Sequence, residues 1–69
     1  MWKKIESLDS VVGITSGDIM SQIPGNSFSE FKVLDIDSGY ACIIGRHLKD
    51  EIKIFPAVGF CYDEWWIRK

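Results

Sequence analysis

The chain has 69 residues and a formal net charge of -2. This length predicts one domain over residues 1–69, and a hydrophobic content of 46% argues against disorder. The sequence has no cluster of Lys and Arg, no apolar run long enough to cross a membrane and no apolar stretch behind its charged N-terminus. We therefore expect a cytoplasmic protein with no membrane partner, for which nucleic acid is a less expected partner than protein.

The first twelve residues are ambiguous. Trp2, Ile5, Leu8 and Val12 recur at roughly helical spacing, while the serines among them could start turns. We expect a short N-terminal helix or irregular arm that packs Trp2 onto the rest of the fold and ends at Gly13.

The next stretch, residues 14–26, has two interpretations. One is a two-turn helix capped by Ser16 and stopped by Pro24. The other is a strand over Asp18–Ile23 followed by a type II turn, in which Pro24 fixes φ and Gly25 takes a positive φ. We favour the strand. The helix stays open, because the apolar residues of this stretch also fit one helical face.

The stretch from Phe31 to Arg46 predicts a β-hairpin. Two runs rich in β-branched and aromatic residues flank Ser38 and Gly39, and Gly supplies the positive φ of a tight turn. A two-residue turn gives the following facing pairs: Asp37 with Tyr40, Ile36 with Ala41, Leu34 with Ile43, and Val33 with Ile44. A three-residue turn would move this register.

This register predicts which face of the hairpin is the core. The apolar members of one face are Leu34, Ile36, Ala41 and Ile43. The opposite face is only half polar, so we expect something to cover part of it. The apolar residues of this strand switch from odd to even positions between Val33 and Leu34, which indicates a bend or a bulge.

Two further strands are predicted towards the C-terminus. In Glu51–Phe55, Ile52 and Ile54 should point inwards, with Lys53 and Phe55 outwards. Pro56 should then stop regular pairing. The last strand is predicted over Phe60–Ile67. Together these elements predict an all-β or mainly β domain, as an SH3-like barrel or a strongly bent antiparallel sheet of four to five strands.

The sequence contains no catalytic, cofactor or metal signature. His47 lies near Asp50 and Glu51 but lacks a recognisable partner spacing, and we interpret it as a loop residue. Asp35 and Asp37 share a strand face, which we interpret as a solvated rim. We therefore expect a protein that is not an enzyme and that needs no cofactor or metal.

The C-terminal aromatic residues are the predicted binding site. Consecutive residues of a strand point to opposite faces, so Trp65 and Trp66 cannot both enter the core. Either the N-terminal arm buries the second indole, or that indole belongs to an exposed acidic-aromatic patch, which protein interfaces favour. The residues of this predicted patch are Tyr62, Asp63, Glu64, Trp65 and Trp66.

The function predicted from this patch is protein binding. Carboxylates beside aromatic rings would complement a basic groove on a nucleic-acid enzyme. Small inhibitors encoded by phages and other mobile elements work in this general way, so an inhibitor or accessory protein of that kind is the expected class. One alternative is an SH3-like nucleic-acid-binding domain, which would need four cations on one surface: Lys32, Arg46, Lys49 and Lys53. The other alternative is a structural subunit that homodimerises through its last strand.

Overall fold

The computed structural model describes residues 1–6, 13–37, 39–48, 51–59 and 62–69, with His47 and Leu48 described by their backbone alone. The described residues are mainly β, with one short 3-10 helix at Ser27–Ser29. The strands are β1 (Trp2–Lys4), β2 (Ile19–Ser21), β3 (Glu30–Asp37), β4 (Tyr40–Leu48), β5 (Glu51–Gly59) and β6 (Trp66–Arg68).

The six strands form one antiparallel sheet in the order β1-β6-β2-β3-β4-β5. Within the described residues, β1 and β5 are the two edges and do not pair with each other, so the sheet does not close into a barrel. The prediction of an antiparallel sheet is confirmed, with more strands than expected. The prediction of a barrel is wrong.

The central hairpin is confirmed as β3 and β4. Asp37 pairs with Tyr40 and Ile36 with Ala41, which is the register of a two-residue turn, and Gly39 takes φ 83°. The predicted register fails beyond this point, because Val33 pairs with Ile43.

The shift arises from a bulge at Leu34, where the apolar phase of the sequence changes. Pairing jumps from Val33 to Asp35, so Leu34 is the extra residue of β3. The bulge turns Val33 into the core and leaves Leu34 38% exposed. The prediction that Leu34 faces the core is therefore wrong.

One face of the sheet, here called the inner face, carries the core. Its fully buried apolar residues include Met20, Val33, Ala41 and Ile43, and Ile5, Ile14, Trp65 and Ile67 complete the cluster. Phe31, Ile36, Phe55 and Val58 pack against it. Most of the favourable free energy of folding comes from this burial.

The other face, here called the outer face, follows from the cross-strand pairs, because paired residues share a face. The pairings place these residues on it: Trp2, Lys4, Ile19, Ser21, Glu30, Lys32, Cys42, Ile44, Arg46, Ile52, Ile54, Trp66 and Arg68. Asp35, Asp37 and Tyr40 extend it beyond the bulge, where Asp35 pairs with Cys42.

The stretch before the hairpin forms strand β2, so the helix interpretation is wrong. Ile23 O accepts a hydrogen bond from Asn26 N at 3.1 Å, and Gly25 takes φ 87°. These features confirm the predicted turn at Pro24 and Gly25. The strand is shorter than predicted because the Ser21 hydroxyl accepts a bond from Ile23 N at 3.0 Å.

Strand β5 is longer than predicted, and the side chains that face the core are the ones predicted to point outwards. Phe55 pairs with Ile43 and packs against the core, while Ile52 is 61% and Ile54 52% exposed. The pairing of β5 with β4 continues past Pro56 through a register shift. An edge strand tolerates proline at a bulge because no neighbour needs its missing N–H.

The N-terminal residues form a strand, not a helix. The pairing of β1 with β6 places Trp2 opposite Arg68, and Ile5 N donates to Trp65 O at 2.8 Å. At the other end Met1 and Lys69 exchange backbone bonds. Leu8 and Val12 lie outside the described residues.

Candidate functional site

The five residues of the predicted patch do not form one surface. Strand β6 begins only at Trp66, and the segment before it is irregular from Tyr62. Trp65 is 4% exposed and its ring meets Phe31 edge-on, with ring centroids 5.6 Å apart. The prediction that a strand spans Phe60–Ile67 is wrong over residues 62–65, and Phe60 lies outside the described residues.

The two neighbouring indoles nevertheless separate as predicted. Trp65 lies beside Ile5 on the inner face, while Trp66 pairs with Lys4 and lies half-buried on the outer face. The Nε1 of Trp65 is buried without a hydrogen-bond partner among the described residues. Such a group costs about 1–3 kcal/mol, so aromatic packing must hold this indole in the core.

Each outer-face indole lies beneath a cation. Lys4 Nζ is 5.8 Å from the centroid of the Trp66 ring and 3.4 Å from Glu64 Oε1. Arg68 stands 5.8 Å from the Trp2 ring. The N-terminal arm thus flanks Trp66 without burying it. This result lies between the two interpretations of the sequence, burial by the arm and exposure in a patch.

Tyr62, a member of the predicted patch, is 79% exposed. Its ring lies over Gly59, where a Cβ would stand 2.6 Å from its Cε2. Gly59 pairs with Tyr40, and the hydrogen bond between the two phenols raises the pKa of Tyr40 above its ordinary value. An exposed pair of tyrosines is therefore held at this end of the sheet.

Two carboxylates, Asp35 and Asp37, lie beside Tyr40, and a third, Asp63, borders an inner-face cavity next to Tyr62 in the chain. Asp37 is the cross-strand neighbour of Tyr40, and Asp63 follows Tyr62 in the chain. Asp35 and Asp37 line a cavity of about 400 Å³ that also borders Tyr40. None of these three aspartates forms an ion pair within the described part of the chain. We call this surface the tyrosine end; its residues are Asp35, Asp37, Tyr40, Tyr62 and Asp63.

Tyr40 and the two strand aspartates were missed as site residues by sequence reasoning. The signal was present, because the two-residue turn already placed Asp37 opposite Tyr40. What the sequence could not indicate is that the chain returns 22 residues later to set Tyr62 against Tyr40.

A second cavity, of about 320 Å³, lies at the inner face between Phe31, Phe55 and Trp65. Arg46 and Asp63 border it but are not close enough to form an ion pair. No group of three metal-ligating side chains occurs among the described residues, and the side chain of His47 is not among them. The absence of catalysis stays a prediction.

The cations needed by the nucleic-acid alternative do not share a surface. Lys32 pairs with Ile44 on the outer face, whereas Lys53 pairs with Gly45 on the inner side and lies 5.6 Å from the Phe55 ring. Lys49 lies outside the described residues. The geometry of the described cations therefore does not favour this alternative.

The proposed dimer edge is also occupied. Strand β6 pairs with β1 on one side and with β2 on the other, so it offers no free edge to a second copy. The prediction that the last strand is an edge strand is wrong.

No protein-family model matches the chain, and neither the curated proteins nor the solved structures give a match. In the parts of the chain described above, no helix has the length and apolar character needed to cross a bilayer. The function is therefore proposed from the geometry of the surface alone.

Proposed function

We propose that this chain is a small, non-enzymatic protein-binding module that takes up a basic surface of another protein at its tyrosine end. The observation that carries the proposal is the exposed Tyr40–Tyr62 pair with unpaired carboxylates beside it. Large amphipathic rings supply contact area at a protein interface, and unpaired carboxylates supply charge complementarity.

The chemistry of the partner follows from this charge. The tyrosine end carries Asp35, Asp37 and Asp63, and no described cation pairs with any of them. A groove lined by Lys and Arg, such as a nucleic-acid enzyme presents to phosphates, fits such a surface. An inhibitor or accessory protein of phage or mobile-element origin would act by filling such a groove from within the cytoplasm.

The nearby Glu64 has a smaller part in this proposal. Its ion pair with Lys4 at 3.4 Å is largely exposed, and such pairs contribute about 0–1 kcal/mol. A basic partner could therefore compete with Lys4 for this carboxylate at little cost.

The test compares what variants of the immobilised chain retain from a nuclease-treated lysate. Tyr62→Ala and Asp63→Lys remove the ring and reverse a charge at exposed positions, so both should fold as the parent does. Glu51→Lys, an exposed reversal away from the tyrosine end, is the matched control. We expect a protein retained by the parent and by the control but lost with both site variants. Equal retention by all four chains would contradict the proposal.

A further inference from the structure

The inner-face cavity has the layered composition of a ligand site. Its floor is made by Ile43 and Trp65, which are 1% and 4% exposed. Half-buried apolar side chains form its walls: Phe31, Phe55 and Val58. Exposed polar residues form its rim: Gln22, Arg46 and Asp63. Small-molecule sites combine an apolar lining with a few polar groups in this manner. The cavity therefore fits an apolar body with polar groups at one end.

The size and lining of the cavity indicate a body with a single aromatic ring. Its volume of about 320 Å³ lies at the small end of the range for ligand sites, roughly 300–1,000 Å³. Phe31 meets Phe55 edge-on at 5.7 Å and Trp65 at 5.6 Å, which are arrangements that aromatic pairs prefer. A ring supplied by a ligand can join this cluster by contacts of the same kind.

The rim offers one charge of each sign. Arg46 and Asp63 do not pair with each other, and neither forms an ion pair elsewhere in the described part of the chain. The guanidinium of Arg46 lies 5.1 Å from the ring of Phe28, a contact that engages its charge but not its N–H donors. Both rim groups are therefore available to a ligand that carries a carboxylate and an ammonium group.

We propose that this cavity binds a free aromatic amino acid. The ring of the ligand enters between Phe31, Phe55 and Trp65. Its carboxylate accepts hydrogen bonds from Arg46, and its ammonium group donates to Asp63. In an α-amino acid these two charged groups share one carbon atom at the end of the side chain, which matches two opposite charges on the rim of one apolar cavity. Hydrogen bonds between charged groups are the strong ones, and arginine can bind a carboxylate at two points.

An aromatic side chain of a partner protein is the rival occupant. Within a peptide the amino and carboxyl groups of such a residue are neutral amides, so this occupant would leave the charges of Arg46 and Asp63 uncompensated. The rim therefore favours the free amino acid. The proposal goes beyond the binding of a basic partner at the tyrosine end, with which it shares only Asp63.

The experiment is a ligand titration followed by the indole N–H signals of the three tryptophans in NMR spectra. The probe is L-phenylalanine, and its matched probe is N-acetyl-L-phenylalanine amide, which carries the same ring without the charges. We expect L-phenylalanine to shift the Trp65 signal with a dissociation constant of ~1 mM or below. The amide should bind at least ~10-fold more weakly. The signals of Trp2 and Trp66, on the outer face, should move less.

Two variants remove the rim charges one at a time. Arg46→Met and Asp63→Asn both change exposed positions, and each should weaken the binding of L-phenylalanine at least ~10-fold. Binding of the uncharged amide should stay as in the parent, which also shows that the variants are folded. The control is Lys32→Met, which removes an exposed cation of the outer face and should leave both affinities unchanged.

Three results would overturn the proposal. One is a Trp65 signal that does not move with L-phenylalanine up to ~10 mM. Another is equal affinity for the two probes, which would assign the cavity to a partner's side chain. The third is parental affinity in both rim variants. None of these results depends on Tyr62, so Tyr62→Ala, which tests the tyrosine end, should bind L-phenylalanine as the parent does.

Discussion

The ring of Phe31 lies directly against Gly45, its cross-strand partner on the inner face. A Cβ at Gly45 would stand 2.8 Å from Cε1 of this ring and closer still to Cδ1. The space left by the missing side chain lets Phe31 meet Phe55 edge-on at 5.7 Å and Trp65 at 5.6 Å. Gly45 is thus required for the packing of the aromatic core.

We predict that Gly45→Ala lowers the free energy of unfolding by about 1–3 kcal/mol, because the Phe31 ring must leave its place between Phe55 and Trp65. Urea denaturation followed by tryptophan fluorescence measures this loss. In a chain that already carries Phe31→Leu, adding Gly45→Ala should lower the free energy of unfolding by less than Gly45→Ala does in the parent. Additive losses would mean that the ring does not limit the space at Gly45.

The two indoles should differ in their effect on stability. Trp65→Ala opens a cavity in the core and should cost about 3–5 kcal/mol. Trp66→Ala removes a half-exposed ring and should cost about 1–2 kcal/mol, leaving the sheet folded. The urea midpoints of the two variants compare these losses directly, provided that the dependence of the unfolding free energy on urea concentration is the same for both. Equal losses would show that Trp66 is as deeply packed as Trp65.

The local features of the fold could be predicted from the sequence. The turn at Gly39 and the turn at Pro24-Gly25 each depend on a glycine with positive φ, and both glycines lie where expected. The phase change at Val33 and Leu34 likewise indicated the bulge. Alternation alone could not show which residue of β3 the bulge would expel, because that depends on the pairing with β4.

The long-range features could not be predicted. Ile52 and Ile54 were expected in the core because apolar residues usually are, yet the second register shift places Phe55 there. The pairing of β1 with β6 joins the two ends of the chain, and no local pattern encodes it. The same limit hid the contact between Tyr40 and Tyr62, on which the candidate site depends.

The stability of the fold should fall at acid pH partly through Asp18. A hydrogen bond from Lys69 Nζ at 2.8 Å, followed by one from Thr15 N at 2.9 Å, lowers the pKa of this carboxyl below its ordinary value. A lowered folded-state pKa contributes stability above the unfolded value, about 3.9, that is lost as the pH falls through the folded pKa.

We therefore expect Asp18→Asn to reduce stability at pH 7 by less than ~1 kcal/mol, since the pair is partly exposed. The variant and the parent should converge as the pH falls below the lowered pKa of Asp18. Thermal denaturation from pH 2 to pH 7 provides the comparison. Lys69→Met, which removes the larger cause, should reproduce most of the loss at pH 7. A constant gap across this range would exclude ionisation of Asp18 as its origin.

The tyrosine end can be tested by titrating Tyr40. The hydrogen bond with Tyr62 is the main reason that the pKa of Tyr40 lies above 10.0, and the charge that Tyr62 acquires adds to it. The chain has only two tyrosines, so Tyr62→Phe leaves Tyr40 as the single phenol. We expect its pKa to return towards the ordinary value, while the last phenol of the parent ionises at higher pH.

Phenolate absorbance in the ultraviolet measures tyrosine ionisation in the parent and in the variant. The parent unfolded in urea gives the tyrosine pKa in the absence of the contact between the two rings. If Tyr40 of the variant titrates where the last phenol of the folded parent does, the two rings do not interact in solution. The surface proposed to bind a basic partner would then lose its fixed aromatic centre, and Tyr62→Ala should no longer affect partner capture more than the Glu51→Lys control does.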